Sequence, residues 1–285
     1  MRLRRWSVSP SSWCLSPWRV LKTCVPTIGL ALCVVYSALC FSDSEQRTEG
    51  TTFSISGAVF KPGEHPWHTG ARLHDATVAG YVRADAWFLG AALLRQDALE
   101  TQQRLKVGVL FDLRVNQVHA RAAGNDRLQS LLQRLENQIT EYPVTGRVKA
   151  QLNPFQLLIL KNNPLLHPGD HLIYPLRPAH VRVMGAVQEN CELSFDPALA
   201  LKHYLRQCPA HAMADRNLAY VIQPDGHIDT VGIAHWNQQT VNIAVGAIIF
   251  RPIKPTTLSP ETPNFNREIA DFLATQYPLG GRFNE

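Results

Sequence analysis

The chain has 285 residues, 28 of them Lys or Arg and 23 Asp or Glu, for a formal charge of +5. The whole excess lies in residues 1–42, where Arg2, Arg4, Arg5, Arg19 and Lys22 stand without any acid; removing these five leaves 23 basic against 23 acidic residues from position 43 onward. A formally neutral body excludes nucleic-acid binding driven by bulk charge, and the length accommodates a leader and two small domains with separate cores.

The leader runs from basic residues into an apolar stretch over 25–41 and then into polar residues 43–49, the order of a secretory signal. Its apolar stretch is about as long as the shortest membrane-spanning helix. Residues 1–42 therefore read as a signal peptide or as an uncleaved N-terminal membrane anchor. Cys14, Cys24, Cys33 and Cys40 lie in this leader, leaving Cys191 and Cys208 in the exported part. An oxidising compartment suggests one disulfide between those two, with a pair of buried thiols as the alternative.

Residues 53–59 (FSISGAV) begin a pattern that returns at 181–187 (VRVMGAV). Apolar positions alternate into Gly-Ala-Val, a turn follows (61–63, KPG; 189–191, ENC), and a short strand comes back, which predicts a β-hairpin in each copy. A helix follows each hairpin, over about 71–79 in the first copy. In the second it is expected over about 197–206, with Asp196 as N-cap and Pro197 at the first helical position. Each copy also closes on a short apolar strand between Gly and Pro, residues 169–175 (GDHLIYP) and 246–252 (GAIIFRP). The fold class predicted is α+β, with two tandem β-grasp (ubiquitin-like) domains at 53–178 and 179–253.

The first copy carries an insertion at about 84–142, read as a helical hairpin or three-helix excursion beside its sheet. Its clearest element starts at Asn125 or Asp126 and places Leu128, Leu131, Leu132, Leu135 and Ile139 on one face; Tyr142 and Pro143 end it. Residues 254–285 comprise a Pro-rich linker and a C-terminal amphipathic helix with Phe265, Ile269, Phe272, Leu273 and Tyr277 on one face. That helix either docks on the protein itself or offers its apolar face to a partner or a membrane surface.

No nucleophile elbow, zinc-protease motif, phosphate loop or dinucleotide fingerprint is present. His65, His68 and His74, and His167 with His171, have metal-like spacing, but no cysteine- or carboxylate-rich context completes a zinc set. No metal and no cofactor is expected. Asp170, Asp196 and Asp225 each have a turn or cap explanation, so no paired acids point to glycoside hydrolysis. Arg147 lies where the chain re-enters the first unit after the insertion. There it can offer a planar fork to a carboxylate or to sugar hydroxyls, or pin the insertion through a salt bridge. Trp67, Trp87 and Trp236 lie outside the leader, and Trp236, in a polar loop, is the one expected to be exposed and able to stack on a sugar.

Residues 57–63 (GAVFKPG) resemble the opening of the soluble-ligand-binding β-grasp (SLBB-like) modules of polysaccharide export proteins. The ordered series of leader, residues 54–63, helical insertion, TGRV at 145–148, NPLLHPGD at 163–170, YPLRP at 174–178, residues 181–187 and terminal helix resembles the capsule-biosynthesis GfcC-like (YjbG-like) family. That resemblance implies a periplasmic, non-enzymatic accessory protein of capsule or exopolysaccharide biosynthesis and export. Its ligand would be polysaccharide, or its partners outer-membrane export proteins. It also implies a functional arginine in a cleft of the first domain, for which Arg147 is the match. The second unit departs from the pattern with ENC at 189–191, and the leader is unusually long. Two rival readings remain: an adaptor that touches only other secretion proteins, and a glycan-modifying enzyme.

Overall fold

A computed structural model of the chain describes residues 51–277; the leader expected over 1–42 lies outside them. The first half contributes β1 (Thr52–Gly57), β2 (Gly63–Pro66), α1 (Leu73–Gly80), β3 (Ala92–Leu94), α2 (Leu99–Ala122), α3 (Asp126–Glu141), β4 (Arg147–Val148), α4 (Pro154–Leu157) and β5 (His171–Tyr174). The second contributes β6 (His180–Gly185), β7 (Cys191–Ser194), α5 (Leu201–Gln207), β8 (Leu218–Ile222), β9 (Ile228–Gly232), β10 (Ile248–Arg251) and α6 (Phe265–Ala274). The result is a mixed α+β protein with two five-stranded sheets, ordered β2-β1-β5-β3-β4 and β7-β6-β10-β8-β9. In each, the first strand pairs antiparallel with its hairpin partner and parallel with the closing strand.

The repeated Gly-Ala-Val has a backbone cause. Gly57 and Gly185 end β1 and β6 at φ +91° and +99°, a region that L side chains rarely occupy. A Cβ at Gly57 would lie 2.1 Å from the carbonyl oxygen of Tyr174, and one at Gly185 would lie 2.4 Å from that of Arg251. The same carbonyls accept from the next residue's N–H, Ala58 at 2.6 Å and Ala186 at 2.8 Å. The valines then turn away from the sheet to bridge Val82 and Ala210. Both copies use glycine so that a strand can leave its sheet while lying against the closing strand.

Three separate cores follow from side-chain alternation. Phe53, Ile55, Leu93, Leu172 and Tyr174 cover one face of the first sheet together with Leu73 and Ala76 of α1. Val181, Val183, Val221 and Ile249 form one face of the second sheet against Tyr204 and Leu205 of α5. Met184, Ile222, Ile248 and Phe250 point to the opposite face and join a third core with α2, α3 and α6. Apolar runs such as Ile248-Ile249-Phe250 therefore mark strands buried on both faces, whereas the alternating Phe53-Ser54-Ile55-Ser56 marks a strand with one apolar face.

Two expectations are corrected. The insertion does form a helical hairpin, α2 and α3, but it packs on the second sheet rather than beside its own. Its beginning is not wholly helical either: Ala92–Leu94 is a strand, paired with β5 and β4. The second unit's helix starts at Leu201, not at Pro197. Asp196 instead closes a local turn, its Oδ1 accepting from Ala198 N–H at 2.8 Å, while the Tyr204 hydroxyl donates to its carbonyl and accepts from its N–H. These bonds hold the chain in a turn, closed by Leu199 N–H on Asp196 O at 3.1 Å, where a helix was expected.

α3 follows its sequence. The Asn125 side chain accepts from Leu128 N–H at 3.1 Å, a cap contributing about 1 kcal/mol. Its five apolar residues are all buried, each worth about 1.5–3 kcal/mol. The buried stripe of α2 is mixed, with Gln102 and Asn116 among Val109, Leu113 and Ala120. Asn116 is 0 % exposed. Its amide donates to Asp112 O and Thr262 Oγ1 and accepts from Ser259 N–H, each at 2.8 Å, so it fastens the Pro-rich linker to α2. Phe265, Ile269, Phe272 and Leu273 of α6 are buried in the third core, so the apolar face offered by the sequence is occupied within the protein.

Candidate functional site

The segment 145–148 (TGRV) is the crossing point of the fold. β4 places Arg147 opposite Leu94 of β3. Gln102 of α2 reaches the segment from below, donating to Arg147 O at 2.7 Å and accepting from Gly146 N–H at 2.8 Å. Thr145 Oγ1 donates to Thr275 O at 2.7 Å, just past the end of α6.

The Arg147 side chain is 7 % exposed. Its guanidinium donates to the carbonyls of Gln276 at 3.0 Å, Ala91 at 3.4 Å and Ala274 at 3.5 Å, and to that of Pro224 in the β8–β9 turn. Burial lowers its pKa to about 10, opposed by the charge of Asp225, so it stays protonated at neutral pH. The sequence offered a carboxylate or sugar hydroxyls as its acceptors. The structure gives it backbone carbonyls from the first sheet, the second unit's turn and the terminal helix.

Directly beside this knot is a cleft of about 500 Å³ between the two sheet-bearing halves. Phe88, Leu89 and Ala91 line one wall, residues 149–153 the base, and Asp225 and His227 the opposite wall. Several of its polar groups are already engaged. Asp225 Oδ1 accepts from His227 N–H at 2.9 Å, His227 Nε2 lies 3.2 Å from Asp229 Oδ1, and Asn153 Oδ1 caps α4 through Phe155 N–H at 3.0 Å. Lys149 projects from the strand edge with no such partner among the described residues. The cleft combines an aromatic and aliphatic wall with an ammonium, two amides, a carboxylate and an imidazole, a lining able to hydrogen-bond a hydroxyl-rich ligand and cover its ring faces.

The other sequence candidates are dispersed. Trp236 is 78 % exposed, in the loop between β9 and β10. Trp67 donates its indole N–H to Leu166 O at 2.8 Å and is half-buried. Asp170 is buried and paired with Arg95 through two contacts, 2.8 and 2.7 Å, while also accepting from His167 N–H at 2.8 Å. The metal-spaced histidines separate: His65 stacks on Phe53, and His171 meets Ser56 Oγ at 2.9 Å. Among the described residues no three His, Cys, Asp or Glu side chains are grouped to hold a metal. No described helix is long and apolar enough to cross a membrane. Cys191 and Cys208 are joined as a disulfide with Cα atoms 5.9 Å apart, tying β7 to the end of α5. The signal for the cleft itself was weak, because Phe88, Lys149 and Asp225 are remote in sequence and meet only through the fold.

Two like-ordered sheets joined at a buried arginine, with an open cleft beside it, define a two-unit α+β protein. Residues 189–278 match the family model described as capsule biosynthesis GfcC C-terminal. The chain is also 28 % identical over 213 residues to the uncharacterized protein YjbG of Escherichia coli (strain K12), covering 74 % of this chain and 84 % of that one. Both matches show likeness to the GfcC/YjbG-like family, the first over the second unit and the second over most of the chain.

Proposed function

We propose that the protein is a non-enzymatic periplasmic accessory factor for capsule or exopolysaccharide assembly and export, and that it holds a saccharide segment in the cleft beside Arg147. The shared strand order, with a parallel pairing of opening and closing strands, supports reading each five-stranded unit as a β-grasp. The observation that carries the proposal is the cleft's lining, Phe88 and Leu89 facing Lys149, Gln151, Asn153 and Asp225. Arg147 sets the width of that cleft by fixing the Pro224 turn to the first sheet, a positioning role. Calorimetric titration of the full chain with fragments of the producing organism's polysaccharide tests it, with Lys149→Ala and Asn153→Ala alongside. Saturable binding weakened about tenfold in either variant is expected, the effect of one lost hydrogen bond to a charged or well-placed partner. Absence of binding at millimolar fragment sinks the saccharide role.

A second reading, an adaptor for the export machinery, is favoured by one surface. Phe155, Leu158 and Leu160 are 72 %, 67 % and 68 % exposed in consecutive turns around α4. The terminal helix is not available for this use, since its apolar face is buried. Phe155→Ser with Leu160→Ser would then abolish secretion support in cells while leaving saccharide affinity intact.

A further inference from the structure

A second cavity, within the unit built from β6 to β10, has a different chemistry. It occupies about 290 Å³ between α5 and the loop joining β9 to β10. Lys202 and Arg206 reach it from α5, one helical turn apart, Arg216 from the segment before β8, and Arg251 from the end of β10. No acid is among its lining residues. None of the four cations has an ion pair among the described residues, although residues 43–285 are formally neutral overall. The Nε of Arg251 is buried and has no hydrogen-bond partner. The carboxylate whose charge acts on it, Asp215, is itself buried and already accepts from Asn217 N–H at 2.7 Å. A buried donor without an acceptor is destabilising, so the pocket is incomplete as it stands.

What would complete it is an anion with several acceptor oxygens. The size sits at the small end of ligand pockets, suited to one ring rather than an oligosaccharide. The loop closing the pocket supplies Ile233 on one side of Trp236 and Gln238 on the other, so an exposed indole stands two or three residues from the lining. We infer that this pocket binds an oxyanion-bearing sugar residue of the glycan, the cations taking the charged group and Trp236 the adjoining ring face. The inference rests on the saccharide reading above and deepens it: the glycan handled would be an acidic one, held at two places on the protein.

The test is calorimetry on the full chain with a glucuronic acid tetrasaccharide, a glucose tetrasaccharide and inorganic phosphate, each at low and at raised salt. The acidic saccharide should bind more tightly than the neutral one and weaken as salt rises. The exposed double variant Lys202→Gln/Arg206→Gln should weaken acidic-saccharide binding by about tenfold or more without altering the circular dichroism. Trp236→Ala should weaken both acidic and neutral saccharides and leave phosphate unchanged. Equal binding of the acidic and neutral saccharides, indifferent to the double variant but sensitive to Lys149→Ala, overturns this pocket while the cleft stands. Phosphate bound as tightly as the acidic saccharide, and equally lost in the double variant, overturns the sugar assignment. If neither saccharide binds, both the pocket and the cleft fall.

Discussion

Arg147 gives an ordering of variants that a surface arginine would reverse. In Arg147→Met the two close acceptors, Gln276 O and Pro224 O, lose charge-assisted bonds worth about 1.5–3 kcal/mol each. Against this about 3–6 kcal/mol stands the relief of a buried charge. Burial lowers the guanidinium pKa from its ordinary value to about 10, which corresponds to about 3 kcal/mol in favour of removing it. The net loss is about 1.5 kcal/mol, or a fall in Tm of about 3–6 °C for a protein of this size. Arg147→Lys keeps a charge, and a more strongly hydrated one, yet presents a single point donor that cannot serve carbonyls from three elements at once. The lysine variant is therefore expected to be less stable than the methionine variant. Urea unfolding at pH 7 measures it, read from the midpoint at constant m value. If lysine is the milder change, or if both cost less than about 0.5 kcal/mol, the guanidinium is not anchoring the halves. The carbonyls would then be satisfied by water.

Asn116→Ala removes three hydrogen bonds from a fully buried site and should cost about 2–3 kcal/mol, with amide exchange rising first over the 254–263 linker. Cys191→Ser should lower stability by about 3 kcal/mol under oxidising conditions, and reductant should bring the parent protein to the same midpoint while leaving the variant unmoved. Burial lowers the pKa of His171 below its ordinary 6.5. The unfolded chain therefore takes up the proton first as pH falls, and this contribution to stability, present above about 6.5, is lost as acid is added toward the lower folded value. His171→Gln keeps a partner for Ser56, so its urea midpoint should decline less between pH 7 and pH 5 than that of the parent.

How much of this was written locally is best seen from particular residues. The hairpins, the closing strands and α3 were legible because each is specified by its own short pattern: Gly at a positive φ, apolar alternation, an Asn cap followed by leucines at helical spacing. The strand Ala92–Leu94 was not, because AALLRQDALE carries every helical propensity and becomes a strand only by pairing with β5. Asp196 and Pro197 carried the signature of a helix start, overridden by the Tyr204 hydroxyl from within the helix itself. Arg147 was singled out from its place at the re-entry of the chain, but its acceptors are main-chain carbonyls of residues 91, 224, 274 and 276, and backbone groups leave no trace in a sequence. The basic pocket was missed for a related reason: Lys202 and Arg206 are an ordinary helical pair until the fold brings Arg216 and Arg251 to them.

The path of the helical insertion has a consequence for how the molecule comes into being. Leu128, Leu131, Leu132, Leu135 and Ile139 are made early, yet the surfaces that bury them are β6, β8 and β10 and, last of all, α6. Neither half can finish folding as it emerges, because each withholds part of the other's interior until residue 274 is free of whatever delivers it. Such a chain has many contacts between distant positions, which slows its final assembly, and it carries an exposed leucine ridge in the meantime, a natural client for holdase chaperones. A chain cut anywhere before α6 would be caught at that stage, and its fate would be proteolysis or aggregation rather than a smaller working domain.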